Sequence, residues 1–368
     1  MKFPLLLLLR SAAVSLLAAA FLPMAALAQP AGAVGDDFIY RIVKDDTLIE
    51  LAQRYTDAAG NWGRLQSLNA IGDPTRLPIG LELRIPFSMI PVLPAQATVS
   101  HVAGQAALDG GRRLAVGDAV SEGDTVTTGP DGYATLVLSD GSTLTVPASS
   151  SMRLDRLRVF KGAGLTDTIF TMREGSLESS VAPGNTGVGR FEIRTPVSIT
   201  GVRGTRLRVH AQAQGSQSEV LEGAARLATG GGQTAGLRPG QGAAVDAGGR
   251  MLGVRPLLPA PELGAMARGG EGWVLSFPPV PGAAAYLVRV ASDAAGTRPH
   301  SSRRFTTPDI TFSAPGAGTY HVLVRAIDAD GVMGRDAGLA FEGHALLKSG
   351  DGSPVSTGYG GQVRLAEY

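Results

Sequence analysis

Between residues 38 and 86 the apolar positions change period twice. Phe38, Tyr40 and Ile42 alternate along Phe38 to Val43, as on one face of a strand. Leu48, Leu51, Ala52 and Tyr55 then recur at helical spacing, behind a capping box in which Thr47 serves the backbone of Glu50 and Glu50 reaches back. A second short helix carries Trp62, Leu65 and Leu68, with Asn61 as its N-cap and Asn69 in a left-handed conformation at its end. Leu81, Leu83 and Ile85 alternate again and Pro86 stops the run. The pattern predicts strand, helix, helix, strand.

From residue 98 to 255 the helical period is gone. Thr135-Leu136-Val137-Leu138 and Thr143-Leu144-Thr145-Val146 flank Ser139-Asp140-Gly141-Ser142, a strong hairpin signal. Pro130-Asp131-Gly132 marks another turn. Further strands are predicted at Ala119–Thr127, Met152–Val159, Thr168–Met172, Phe191–Arg194, Thr205–His210, Glu219–Glu222 and Ala243–Val245. Turn signals about every ten residues point to an all-β sandwich, roll or barrel. Residues 87–97, with Pro91 and Pro94, and 256–270, with Pro256, Pro259 and Pro261, read as linkers. Strand patterns return over 271–343, and the Gly/Ser-rich tail 344–368 reads as poorly ordered.

Composition narrows the classes. Gly (50 of 368 residues) stands at about twice its usual share, which suits short elements joined by tight turns. Residues 1–28 carry Lys2 and Arg10, an apolar run from Ala12 to Leu22, and Ala26-Leu27-Ala28, the anatomy of a cleaved secretory signal. Without that segment the net charge of +1 loses two cations and turns slightly acidic, so no basic stripe is left for nucleic acid. No further segment is long and apolar enough to span a bilayer, which implies no stable membrane insertion after cleavage. There is no cysteine. His101, His210, His300, His321 and His344 are isolated in sequence, so no metal site, cofactor or catalytic residue is assigned. No G-x-S-x-G is present, and carboxylate pairs such as Glu174 and Glu178 read as the common, usually solvated carboxylates on turns of β-domains.

Two stretches resemble known families. Tyr40-Arg-Ile-Val-Lys44-Asp-Asp46-Thr47-Leu48, Leu51-Ala52, Tyr55, Trp62, Leu68-Asn69, Leu77-Pro-Ile-Gly80 and Leu83-Arg-Ile-Pro86 resemble a complete lysin motif (LysM). Asp45 departs from it, standing where the family usually has Gly. The resemblance implies binding of N-acetylglucosamine-containing glycan, usually peptidoglycan. The implied groove lies between Asp46, Thr47 and Leu48 on one side and Ile71, Gly72, Asp73 and Pro74 on the other. Leu48 taken by itself reads as core.

Gly123-Asp124, Gly132, Asp140-Gly141-Ser142, Glu174-Gly175, Thr195-Pro196, Gly201-Val202-Arg203-Gly204-Thr205 and Pro239-Gly240 together resemble the FecR periplasmic domain. Taken alone, Gly201 to Thr205 reads as a tight turn or bulge, with Arg203 in an internal ion pair, in preference to an anion nest. Well-known members of that family signal to a cytoplasmic σ factor. That role needs a cytoplasmic segment and a membrane span ahead of the domain, where this chain has the leader and the LysM unit, so it is not carried over. Trp273, Ala285-Tyr286, Gly318, Tyr320 and Asp328 loosely resemble a fibronectin type III-like sandwich, with Trp273, Tyr286 and Tyr320 as core aromatics.

The expected fold is multidomain and mainly β: a βααβ LysM module over 38–86, a FecR-like roll or sandwich over 98–255, and a small fibronectin type III-like sandwich over 271–343. The expected function is a non-enzymatic scaffold, periplasmic or exported and wall-associated. It would hold peptidoglycan glycan strands and present a surface to an envelope protein. The alternatives are a wall-modifying enzyme with a cryptic site in the β-domains and a sensor acting through a separate membrane partner.

Overall fold

A computed structural model describes residues 32–34, 36–182, 188–269, 272–343 and residue 355, apart from the side chains of Ala33, Val188 and Arg203. The expected leader (1–28) and tail (344–368, residue 355 apart) lie outside the described residues. The fold is mainly β, with a small α/β unit at its start.

In that first unit the strands Asp37–Arg41 and Glu82–Pro86 pair antiparallel, Ile39 opposite Arg84, and enclose two helices, α1 (Leu48–Thr56) and α2 (Trp62–Leu68). A short edge strand, Gly32–Val34, adds to the far side of Asp37–Arg41. Three residues are too few to show a period, so the sequence pattern did not reveal it. Phe38, Tyr40, Leu48, Leu51, Leu65, Leu83 and Ile85 are essentially fully buried, as the two periods require.

The helix ends differ from expectation in detail. Thr47 caps α1, accepting from Glu50 N, but Glu50 returns its carboxylate to the Thr47 hydroxyl instead of its backbone N–H. Asn61 is in helical conformation and gives its amide to Thr56 Oγ1, so it does not cap α2. Asn69 is not left-handed. Its side chain ties Leu65 O and both backbone groups of Arg84, locking α2 to the closing strand, and Ala70 (φ 49°) takes the left-handed turn. Leu68, expected on the buried stripe, is half exposed.

Asp45 is left-handed, with φ 71°. That explains Gly as the usual residue there: the conformation costs a non-glycine residue, and Asp less than most. Asp45→Val is expected to destabilise the protein by about 1–2 kcal/mol, whereas Asp45→Gly is tolerated. Urea unfolding of the two variants checks this.

The second unit is one continuous, branched ladder of 15 strands between Val92 and Pro256. Nearly all pairings are antiparallel; Leu165–Ser180 with Val188–Arg194 is parallel. The predicted hairpin forms in register, Leu136 opposite Leu144, and Asp140 Oδ1 accepts from Ser142 N to hold its turn. Several predicted strands are parts of longer ones. Thr168–Met172 lies within Leu165–Ser180, which pairs with Ser150–Phe160 and then changes partner to Ser198–Gln212. Gly175 makes that change possible: φ is 88°, and a Cβ there would lie 2.4 Å from Ser150 Cα. The expected bulge at Gly201 to Thr205 is present as register shifts between Arg203 and Leu207. Gly223 lies so close to it that a Cβ would sit 2.2 Å from Gly204 O. The Arg203 ion pair lies outside the described residues.

The third unit has a three-stranded sheet (267–269, 272–276, 309–312) and a four-stranded one (299–305, 285–291, 318–327, 337–343, in spatial order). One core joins them, with Tyr286 buried and Trp273 and Tyr320 partly buried against it.

Neither expected linker is a free tether. In 87–97, Val92–Pro94 pairs with Arg158–Phe160, because its prolines leave an edge that still bonds through its other residues. In 256–270, Leu257 is buried, Leu258 O accepts from Arg335 N, and Ala267–Gly269 is an edge strand. Proline content gave no sign that these segments dock.

Candidate functional site

The groove implied by the LysM resemblance is built on the loop after Asp37–Arg41. Asp46 is half-buried. Its Oδ2 accepts from Tyr40 Oη and from Val43 N, both at 2.8 Å, and so folds the loop back before α1 begins. Burial, then the hydrogen bond to Asp46, pushes the Tyr40 phenol up to about 12. Asp46 is therefore engaged inside the loop through one oxygen. Leu48 is 1% exposed and faces the core, so its side chain is not available to a ligand. Thr47 is exposed, and the N–H groups opening α1 have no acceptor within the helix.

The second loop is held from behind. Ile71 is half-buried against the core and exchanges bonds with Gln66, N to O at 3.1 Å and O from Nε2 at 3.0 Å. Asp73 Oδ1 accepts from Thr75 N and Oγ1, and these bonds hold its carboxyl below the usual range. Pro74 is half-buried, and Gly72 is exposed with open space where a Cβ would project.

Backbone bonds bring a third stretch beside the first loop. Gly80 N donates to Ile42 O at 2.7 Å, and Ile42 N donates to Leu81 O at 2.9 Å. This places Pro78 to Leu81 next to the loop that ends at Thr47. The sequence reading missed two residues here: Ile79, 71% exposed, and Ile49, 54% exposed on the first turn of α1. Ile79 continues the alternation of Leu81, Leu83 and Ile85, but it lies between Pro78 and Gly80 ahead of the strand that begins at Glu82, and that turn setting was the available signal. The site thus offers exposed apolar side chains beside the opening N–H groups of Leu48 and Ile49, with Thr47 Oγ1 and Glu50 N engaged in the cap, a combination suited to sugar faces and their amide and hydroxyl groups.

Elsewhere, strand register assembles groups that look isolated in sequence. Ser176 lies directly opposite His210, with Oγ 2.7 Å from Nδ1, and His210 Nε2 lies 2.9 Å from Glu219 Oε2. His210 and Glu219 are buried, and the second Glu219 oxygen accepts from Met333 N of the third unit. This relay runs into an interface, where it ties two units together. Among the described residues no group of three or more His, Asp or Glu is gathered for a metal ion. No described helix is long and apolar enough to cross a membrane.

Residues 40–86 match the family model described as LysM domain, and residues 124–226 the one described as FecR protein. No curated protein matches the chain. Two crystal structures of a candidate anti-sigma factor from Parabacteroides distasonis are similar at 18% identity and a TM-score of 0.30, over 36% of this chain and 59% of theirs. The chain thus spans little more than half the length of those proteins. What the family models identify is a LysM domain at 40–86 followed by a FecR segment at 124–226.

Proposed function

We propose that the protein is exported and binds N-acetylglucosamine-containing glycan of peptidoglycan through the LysM surface. Thr47, the opening N–H groups of α1, Gly72, Ile49 and Ile79 are the contacting groups. The FecR segment and the third unit, which we read as a fibronectin type III-like sandwich, present a surface to an envelope protein. The role is binding, without catalysis. The observation that carries the reading is the LysM match joined to the exposed apolar side chains Ile49 and Ile79 beside the start of α1.

The test is retention on purified sacculi. Removing the whole LysM unit is a poor comparison, because Phe160, Ala163 and Leu165 of the β-ladder are buried against it. Surface variants avoid that problem. Gly72→Glu and Ile79→Glu together are expected to lower sacculus binding about tenfold or more, by setting charge against the sugar faces, with the melting temperature unchanged. Undiminished retention sinks the groove assignment.

A second reading, envelope signalling through a separate membrane partner, is favoured by the FecR match. It predicts a membrane protein recovered by crosslinking in intact cells.

A further inference from the structure

A cleft of about 490 Å³ separates the β-ladder from the third unit. Its walls come from both: Arg206, Leu221 and Glu222 on one side, and His321, Arg335 and Asp336 on the other. Ligand sites commonly form at such junctions and at such volumes. A smaller cavity of about 40 Å³, room for at least one water, shares Arg206, Leu221 and Asp336 with it and is also lined by Arg208.

Charge in the cleft is unevenly spent. Asp336 is already paired with Arg325, Nε to Oδ1 at 2.6 Å. The Arg335 guanidinium has no hydrogen-bond or ion-pair partner among the described residues. It lies over Gly240, where a Cβ would come 2.6 Å from Nη2. Arg206 has only a loose, exposed contact with Glu222 at 3.8 Å. Behind them Arg208 is 1% exposed, and its Nε and Nη1 have no hydrogen-bond partner. Glu219 lies 3.9 Å away, with its oxygens taken by His210 and Met333 N. A buried arginine with unused donors marks a place that an acceptor or a bridging water should fill.

We infer that this cleft is a second binding site, for a small carboxylate-bearing peptide. Arg206 and Arg335 at the mouth take the carboxylates through planar, two-pronged contacts. Arg208 adds its field from behind, through water in the smaller cavity. Glu222 beside Arg206 meets an ammonium group, and Leu221, Leu257 and Leu323 supply apolar wall. The choice of a peptide carboxylate over other oxyanions rests on the proposed wall-binding role, since stem peptides display that group next to the glycan.

The test is calorimetric titration of the full chain with three probes: the sugar-free stem tripeptide of peptidoglycan, inorganic phosphate, and chitotetraose. The tripeptide is expected to bind, and Arg206→Gln with Arg335→Gln to weaken it about tenfold or more. Chitotetraose reads the LysM surface and should not respond to that double variant, which also serves as the check on folding. No saturable heat with the tripeptide overturns the cleft assignment, as does binding that the double variant leaves unchanged. Phosphate binding as tightly as the tripeptide overturns the carboxylate assignment. A failure of chitotetraose alone overturns the glycan reading, with the cleft judged by the peptide result.

Discussion

Glu178→Ala is expected to destabilise the protein by about 3–5 kcal/mol at neutral pH and to split its unfolding into two transitions. Glu178 projects from the β-ladder and accepts two bonds from Arg289, at 2.7 and 2.6 Å, and a third from Arg325 at 2.8 Å. Both arginines belong to the third unit and are 2% and 3% exposed. Arg325 keeps Asp336, but Arg289 has no other ion-pair partner among the described residues. Truncating Glu178 therefore leaves a buried cation uncompensated, which is where most of the cost arises. Replacing Glu178 and Arg289 together by methionine should cost much less than the sum of the single changes, because the charge and its counter-charge leave together. Urea unfolding of the four species in a double-mutant cycle measures this. A loss below about 1 kcal/mol for Glu178→Ala would mean the interface is held by its other contacts, such as Arg208 with Gly334 O and Thr135 with Thr297 O.

The same pair sets a pH dependence. Burial alone would raise the Glu178 carboxyl, but Arg289 and Arg325 outweigh it and hold the group well below the usual carboxylate range. Asp336 is shifted the same way, burial being outweighed chiefly by Arg325. A depressed folded-state pKa contributes stability above the unfolded value, near 4.3 for Glu and 3.9 for Asp, and that contribution is lost as pH falls through the folded value. The two transitions should therefore separate on acidification below about pH 4, and the Glu178→Ala protein should lack that part of the acid sensitivity.

Local chemistry was legible in the sequence wherever one period or one turn decides it. The stripe Leu48, Leu51, Ala52, Tyr55 and the hairpin at Asp140-Gly141 depend on neighbours within a few residues, and both formed as read. The strand Leu165–Ser180 was read short because it changes partner at Gly175, and its period cannot show a partner distant in sequence. The interface was invisible for the same reason. Glu178 lies 111 residues from Arg289 and 147 from Arg325, and nothing local distinguishes the three from solvated charges. For the candidate site, the family resemblance named two loops. It could not tell that Asp46 spends one oxygen on Tyr40 and Val43, that Leu48 turns inward, or that Ile79 stands out.

Phe160→Ala is expected to cost about 3–5 kcal/mol and to release the LysM unit as a separately melting body. Phe160 belongs to the β-ladder yet is 2% exposed, because it stacks on Phe87 at a ring distance of 4.2 Å and an angle of 16°. Around it Ala163 and Leu165 share one core with Tyr55, Leu83 and Ile90. Lys161 adds an exposed ion pair to Asp57, which contributes little by comparison. The chain has two tryptophans, Trp62 against this shared core and Trp273 in the third unit, so each end can be followed by its own fluorescence once the other is replaced by phenylalanine. In the parent protein the Trp62 signal should melt with the β-ladder, and in Phe160→Ala it should melt earlier and alone. A Trp62 transition unmoved by the substitution would show that the Val92–Pro94 pairing holds the unit without the aromatic stack. The outcome bears on function. A LysM surface fixed to the ladder holds the cleft at Arg206 and Arg335 at a set distance and angle from the bound glycan strand, so peptide and sugar contacts can reinforce one another. A released LysM unit keeps glycan affinity but loses that fixed geometry, so Phe160→Ala should bind chitotetraose normally and intact sacculi more weakly.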